Sequence, residues 1–334
     1  MKKFLLPEGG NFYKANLHTH TTCSDGRKTP EEVKEIYKNL GYSVVAYTDH
    51  DILLDRKELC DDEFLALNGY EVEINEAKKC CHICFIALEP DNLVQPCWHR
   101  SKYLFANAPQ FRDQVKFDES EPDYEREFSS AGISDLMQKT RSKGFFVTYN
   151  HPTWSLEDYR DYMGYEGMHA FEMFNGSCLC AGYQDYNPRV YDDMLFGGKR
   201  LYCIGADDNH NCSPEGTRHF DSGRAYTVIK ADKLDYRTVT KALEDGNFYA
   251  SEGPEIHELW YEDGQVHVKC SDADSVVCNY GIRKAQSVYS ENGEELTEAV
   301  FTLPEHKFNY FRITVTDRTG KHACTNAYFE DEIR

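Results

Sequence analysis

The sequence predicts an α/β fold whose strands pair in parallel, followed by a small antiparallel β domain. Three observations predict it. Short apolar runs alternate with capped amphipathic segments up to about residue 250. The texture then changes after Ser251-Glu252-Gly253-Pro254, where strand pairs surround tight turns. Histidines and acids, finally, follow the ends of the apolar runs rather than being scattered along the chain.

The strand-type runs lie at 15–17, 42–47, 67–74, 82–88, 145–149, 170–174 and 201–204, rich in Val, Ile, Phe and Tyr. Between them, Thr29-Pro30-Glu31-Glu32 reads as a capping box with proline at the first helical position. Val33, Ile36, Tyr37 and Leu40 continue at helical spacing, and Gly41 closes the helix. Further helices are expected over 133–143, from Asn187-Pro188 to Gly197-Gly198, and over 236–245. Such alternation argues for a barrel or a doubly wound sheet. Turns at Glu262-Asp263-Gly264, Glu291-Asn292-Gly293 and Asp317-Arg318-Thr319-Gly320 make residues 254–334 a small antiparallel, sandwich-like domain, leaving 1–253 as the α/β part. Residues 89–130, with Pro90, Pro96, Pro109 and Pro122, fit neither pattern. They form an irregular insertion, expected to act as a lid.

Bulk properties exclude several classes. A net charge of −20 offers no Lys/Arg track for a nucleic-acid polymer. The start MKKFLLPEGG is too short in apolar residues for a signal peptide, and no run reaches membrane-spanning length, so a cytoplasmic location is expected. The 13 cysteines are odd in number, which suits reduced, buried thiols more than a disulfide scaffold. Cys80, Cys81 and Cys84 are the densest group, and a zinc–thiolate site would want a second pair that Cys178 and Cys180 match poorly.

The run at 15–17 leads into His18-Thr19-His20 and Asp25, and the run at 42–47 into Asp49-His50-Asp51. A turn at Gly69 leads to Glu71 and Glu73, and His82 opens the next run. The run at 145–149 ends in Asn150-His151-Pro152, and that at 201–204 in Asp207-Asp208-Asn209-His210. In a parallel α/β fold the carboxyl ends of the strands share one rim. Six of 13 histidines and several carboxylates would meet there, at a cost that bound cations relieve. Imidazole and carboxylate donors suit Mn, Fe or Zn.

At Leu17-His18-Thr19-His20, Ser24-Asp25-Gly26, Thr48-Asp49-His50, Gly69-Tyr70-Glu71, His82, His151-Pro152 and Asp208-Asn209-His210, the chain resembles the polymerase and histidinol phosphatase (PHP) superfamily. Residues 242–254, Arg312 and Thr325-Asn326 resemble its carbaryl-hydrolase-like subgroup. The resemblance implies a distorted (β/α)7 barrel with two or three divalent metal ions. By position, His18, His20, Glu71 and Asp208 would hold one ion, and Glu71 would bridge to a second held by His82 and His151. Asp25, His50 and His210 would hold a third. Where the family's motif has serine before its aspartate this chain has Asp207, which leaves open which acid ligates. Glu73 shares a strand face with Glu71 and is an alternative to it, and Glu172 is either a supporting group or a strand-end surface acid.

The implied activity is hydrolysis of a small phosphorylated substrate, a hydroxide bridging the metals attacking phosphorus. His20 or Asp208 would move a proton. Arg27, Arg100 and Arg218 are the candidates to clamp phosphate, with Arg112 and Arg224 behind them. An alternative is a carboxylic ester or carbamate hydrolase on the same site. An alternative of another class is carbohydrate or partner binding by the C-terminal β domain, with Trp260 and Tyr261 as contacts.

Overall fold

The computed structural model describes residues 2–333. The strands, in chain order, are β1 (Lys3–Phe4), β2 (Asn11–Asn16), β3 (Val44–Tyr47), β4 (Leu65–Glu76), β5 (Lys79–Ala87), β6 (Phe145–Tyr149), β7 (Ala170–Asn175), β8 (Tyr202–Ala206), β9 (Tyr226–Ala231) and β10 (Phe248–Ser251). They continue as β11 (Ile256–Glu262), β12 (Gln265–Cys270), β13 (Ser275–Asn279), β14 (Ala285–Tyr289), β15 (Glu298–Thr302), β16 (Tyr310–Thr316), β17 (His322–Thr325) and β18 (Tyr328–Phe329). The helices are α1 (Pro30–Asn39), α2 (Ser130–Ser142), α3 (Tyr159–Tyr162), α4 (Gly176–Ala181), α5 (Pro188–Phe196), α6 (Tyr236–Glu244) and α7 (Glu330–Ile333).

The α/β texture is present, and among the described residues the strand ladders form one long mixed sheet rather than a continuous (β/α)7 ring. One large mixed sheet runs β14-β13-β16-β17-β10-β9-β2-β3-β4-β5-β6-β7-β8. Its parallel pairs are β2/β3, β3/β4, β6/β7 and β7/β8. The middle is antiparallel, because β4 and β5 form a long hairpin and β6 returns against β5. A hairpin needs no crossover helix, so the expected alternation breaks there. The far edge curls back without a full ladder. The parallel bridge Thr19–Asn209 joins the ends of β2 and β8, and Gly205 on β8 exchanges hydrogen bonds with the Thr227 hydroxyl on β9. Only glycine allows that approach, since a Cβ at 205 would lie 2.7 Å from the Tyr226 carbonyl oxygen.

The turn expected at Gly69 is likewise absent: the residue lies inside β4. Glycine is needed there for a different reason, because a Cβ would meet the Phe85 oxygen at 2.9 Å and Thr48 Cγ2 at 3.1 Å. Local signals fared better at helix ends. The Thr29–Glu32 capping box closes reciprocally on α1. Helix α2 begins three residues before 133, where the Ser129 hydroxyl accepts from the Gly132 amide.

Both sheets run across residue 253. Strand β17 pairs with β10, so β13, β14, β16 and β17 extend the large sheet. A second, antiparallel sheet orders as β1-β11-β12-β15 and recruits the N-terminal strand. One core joins Val33, Tyr37 and Tyr47 to Ile256, Leu259, Val266, Phe311 and Ile313, all buried. Arg312, also buried, donates from Nη2 and Nε to Asp192 on α5 at 2.7 and 2.8 Å. Trp260 lies flat on His267 of the neighbouring strand, ring centroids 4.7 Å apart, and Lys2 covers it. It remains half-buried on the outer side of this sheet.

The insertion at 89–130 carries one 3-10 segment, Ala108–Gln114, and a bridge between Val94 and Lys116. Its Trp98, Ala108 and Val115 pack on Cys23, Ile52 and Leu54. Among the described residues no helix is long and apolar enough to cross a membrane.

Candidate metal centre

Each expected ligand reaches the site by a simple local device. His18 and His20 follow β2 with i, i+2 spacing in an extended run, so both rings fall on one side. Asp25 returns on a tight loop held by Asp49, whose carboxylate accepts from the Thr21 amide and the Ser24 hydroxyl. His50 follows β3. Glu71 lies mid-strand in β4, and His82 lies on β5, the register pairing His82 with Glu73. His151 follows β6, while Asp208 and His210 follow β8.

The structure gathers these side chains into overlapping donor groups. His18, His20, Glu71 and Asp208 form one, Glu71, His82 and His151 a second, and His20, Asp25, His50 and His210 a third. Within each, the donor atoms lie within 4.8 Å of one another. His18 Nε2 is 3.1 Å from Glu71 Oε1 and 3.2 Å from Asp208 Oδ1. His20 Nε2 is 3.2 Å from Glu71 Oε2 and 3.1 Å from Asp208 Oδ1. His82 Nδ1 meets Glu71 Oε1 at 3.0 Å, and His210 Nε2 meets Asp25 Oδ2 at 3.2 Å. Three residues here hold left-handed backbone: Asp51 (φ 64°), His151 (φ 26°) and Asp208 (φ 52°). Strain of this kind persists only where surrounding structure imposes it.

Two uncertainties of the sequence resolve geometrically. Asp207 points away from the cluster. Its carboxylate accepts from the amides of Gly223, Arg224 and Ala225 and from the Tyr37 hydroxyl, so it ties down the following loop. Asp208 is the acid among the histidines. Glu172 is fully buried rather than at the surface. Its Oε1 takes His18 Nδ1 at 3.0 Å, and its Oε2 accepts from the His151 amide and Asn175 Nδ2. It therefore fixes the ring whose other nitrogen faces Glu71 and Asp208, the usual arrangement behind a ligating histidine. Nothing in the sequence beyond its place at a strand end distinguished it.

The electrostatics of the cluster demand positive charge. Burial would push the Glu71 carboxyl up, yet His18, His82 and His50 hold it well below the ordinary range. Asp208 is also held low, by His18 and His20, against its burial. His18 and His20 are raised well above their ordinary value, carboxylates outweighing burial in both. His50 goes the other way, pushed down to about 4 by burial and by His20. Glu71 Oε2, His20 Nδ1, His50 Nδ1 and His82 Nε2 are buried without a hydrogen-bond partner. Buried donors and acceptors left unpaired are costly, and a cation coordinated by them removes that cost. The donor set fits divalent metal ions.

The cluster opens into a cavity of about 240 Å³ lined by Asp25, His50, Glu71, Glu73, His82, His151, Asp208 and His210, together with Phe105, Trp154, Ser177, Cys178 and Ala181. His18 and His20 lie behind this wall. His20, expected to move a proton, faces carboxylates with Nε2 and lies 3.5 Å from Asp25 with Nδ1, so it has no nitrogen open to the cavity; Asp208 does reach it.

The three arginines expected to clamp phosphate do not line this cavity. Arg27 and Arg218 are exposed, and neither lines the cavity. Arg100 is spent on the insertion, donating to Asp123 and to the Glu119 and Glu121 carbonyls. Arg224 bonds the Phe220 and Arg218 carbonyls, and Arg112 the Arg100 carbonyl. The cation that does approach the site is Arg126, 2.6 Å from Asp51 and bonded to the Glu73 carbonyl. Residue type alone could not rank them, since each depends on where a loop goes. Among the thiols, Cys80, Cys81 and Cys84 are all buried, and Cys80 stands with Glu73 and His82.

Fold and site together define an α/β protein with a carboxylate–imidazole cluster of the kind that holds divalent metals. No protein-family profile matches the chain, and no curated protein matches it. Among solved structures it is similar to a two-domain protein from Bacteroides vulgatus containing a predicted PHP-like metal-dependent phosphoesterase, at 16% identity, 94% of each chain and a TM-score of 0.47. It is also similar to a candidate metal-dependent phosphoesterase from Bifidobacterium adolescentis, at 16% identity over 64% of this chain and 91% of that one, with a TM-score of 0.41. A third is an amidohydrolase from Chromobacterium violaceum with bound sulfate and no metal, at 16% identity, 70% and 96% of the two chains and a TM-score of 0.40. At that distance none of the three says which reaction this chain runs.

Proposed function

We propose that this chain is a metal-dependent hydrolase of phosphate esters, of the PHP type its motifs resemble. The observation that carries this reading is Glu71, a buried carboxylate shared between two donor groups on the wall of one cavity. His18, His20, Glu71 and Asp208 would hold one ion, His82 and His151 a second with Glu71, and Asp25, His50 and His210 a third. Divalent ions there would supply Lewis acidity toward a phosphoryl oxygen and a nucleophile drawn from water near neutral pH.

The chain's own residues prepare this chemistry. Glu172 locks the His18 ring, and the Ser155 hydroxyl lies 3.2 Å from His151 Nδ1, so both rings present a fixed nitrogen. Asn175 Nδ2 spans Glu172 and Asp208. Asp208 is the expected proton carrier that keeps its reach into the cavity. Residues 89–130 bring Phe105 to the cavity, which supports a covering role for the insertion.

One observation favours the second reading, a carboxylic ester or carbamate. The cavity lining contains no Lys or Arg to clamp an anion. Assays of the Mn-loaded protein with nitrophenyl phosphate, bis-nitrophenyl phosphate and nitrophenyl acetate separate the two. Phosphate ester turnover is expected, and cleavage of the acetate alone would overturn it.

A further inference from the structure

Two partly exposed aromatic side chains line the cavity, Phe105 at 48% and Trp154 at 38%. Rings this large are normally buried, and an exposed pair beside a polar cluster marks a contact surface. Both stand nearly perpendicular to the rings of expected metal ligands. Phe105 lies 5.4 Å from the His50 ring at 80°, and Trp154 lies 5.3 Å from both His82 and His151, at 70° and 89°. Both rings stay partly exposed beside those ligands and line the same cavity.

They arrive from separate segments, each held in place by its backbone. Phe105 lies between Tyr103 (φ 70°) and Ala106 (φ 48°), both left-handed, and the Asn107 amide anchors the turn on the Ser24 carbonyl. Trp154 precedes Ser155, whose amide donates to the His151 carbonyl, and left-handed Leu156 (φ 58°) follows. Non-glycine residues in that region are costly and gather at sites that need a fixed presentation. Cys178 and Ala181 add further apolar lining to the same cavity.

We propose that this apolar lining selects substrates whose group beyond the hydrolysed bond is aromatic or otherwise flat and apolar, stacked on Phe105 and Trp154, with no anion or sugar there. The inference rests on the hydrolase reading for the placement of the reacting group. The chemistry follows from the lining: ring faces favour flat apolar surface, and no Lys or Arg of the wall can meet a second anionic group.

The test is calorimetric titration of the Mn-loaded full chain with phenylphosphonate, methylphosphonate, benzoate and acetate. Phenylphosphonate is expected to bind about tenfold or more tightly than methylphosphonate, the scale of one aromatic contact plus its buried area. F105A and W154A should each cut that ratio severalfold, and F105L and W154L, which keep apolar bulk but lose the flat face, should fall between. A phenyl-to-methyl ratio near one, a ratio unmoved by both alanine variants, or no binding by any of the four ligands overturns the proposal. Preference for the carboxylates over the phosphonates would instead sink the phosphate reading, while the benzoate-to-acetate ratio still reports on the apolar lining.

Discussion

The Nε2 atoms of His18 and His20 face one another at 3.2 Å, and both lie within 3.2 Å of Asp208 Oδ1. Nitrogen and carboxylate donors packed this closely in a buried space are the arrangement a shared cation, proton or metal ion, holds together. The spacing of two residues in an extended run puts both rings there, and Glu71 and Asp208 complete the demand for a cation.

Stripping divalent ions should therefore destabilise the folded chain. Ligation of the native state adds about 2.7 kcal/mol when free metal stands a hundredfold above its dissociation constant. Dialysis against chelator is expected to lower the thermal midpoint by several degrees, and added Mn to restore it. A midpoint indifferent to both treatments would remove the metal centre.

Asp207 and Asp208 should separate by phenotype. D208N is expected to lose at least one ion per chain by elemental analysis. D207N should keep its metal and lose stability instead, because an amide donor would replace the oxygen that accepts from the Gly223 amide and the Tyr37 hydroxyl. A misplaced buried donor costs about 1–3 kcal/mol, readable as a lower denaturant midpoint. Metal loss in D207N with retention in D208N would reverse the assignment.

R27A, R100A and R218A should each leave KM within about twofold, since none of these side chains lines the cavity. R126M is the contrasting case. It leaves Asp51 buried without the guanidinium 2.6 Å away and should reduce stability measurably. A large KM increase in any of the first three would mean that a loop closes over substrate from further away than this structure shows.

Glu157 gives a stability slope with pH. Burial pushes its carboxyl up to about 7, against the opposing hydrogen bonds from the Tyr165 and Tyr149 hydroxyls. Because the folded value exceeds the unfolded one, the contribution is fully present below about pH 4 and is lost as pH rises toward 7. A shift of this size corresponds to at most about 3.5 kcal/mol. E157Q should flatten that part of the profile, measured as denaturant midpoint against pH, and an unchanged slope would place the titrating group elsewhere.

Much of the centre was legible in the linear order of residues. His18-Thr19-His20, Asp49-His50, Glu71, His82, His151 and Asp208-Asn209-His210 each sit in or just after an apolar run, and a strand delivers whatever it carries to the sheet's rim. Helix ends were legible for the same local reason, as the Thr29–Glu32 box shows. The antiparallel pairing of β4, β5 and β6 was not, because strand direction is decided by pairing with distant partners and the apolar runs read alike either way.

By itself, then, the sequence determined the donor inventory and its division among strand ends, since both depend on residue type and spacing of a few positions. The tertiary structure alone decided which acid of Asp207-Asp208 turns inward, that Glu172 stands behind His18, and that Phe105 and Trp154 rather than Arg27, Arg100 or Arg218 line the cavity. Those outcomes depend on loop paths set by left-handed residues and by contacts between segments far apart in the chain. Local propensity does not encode them, because their energies arise only once the sheet has brought those segments together.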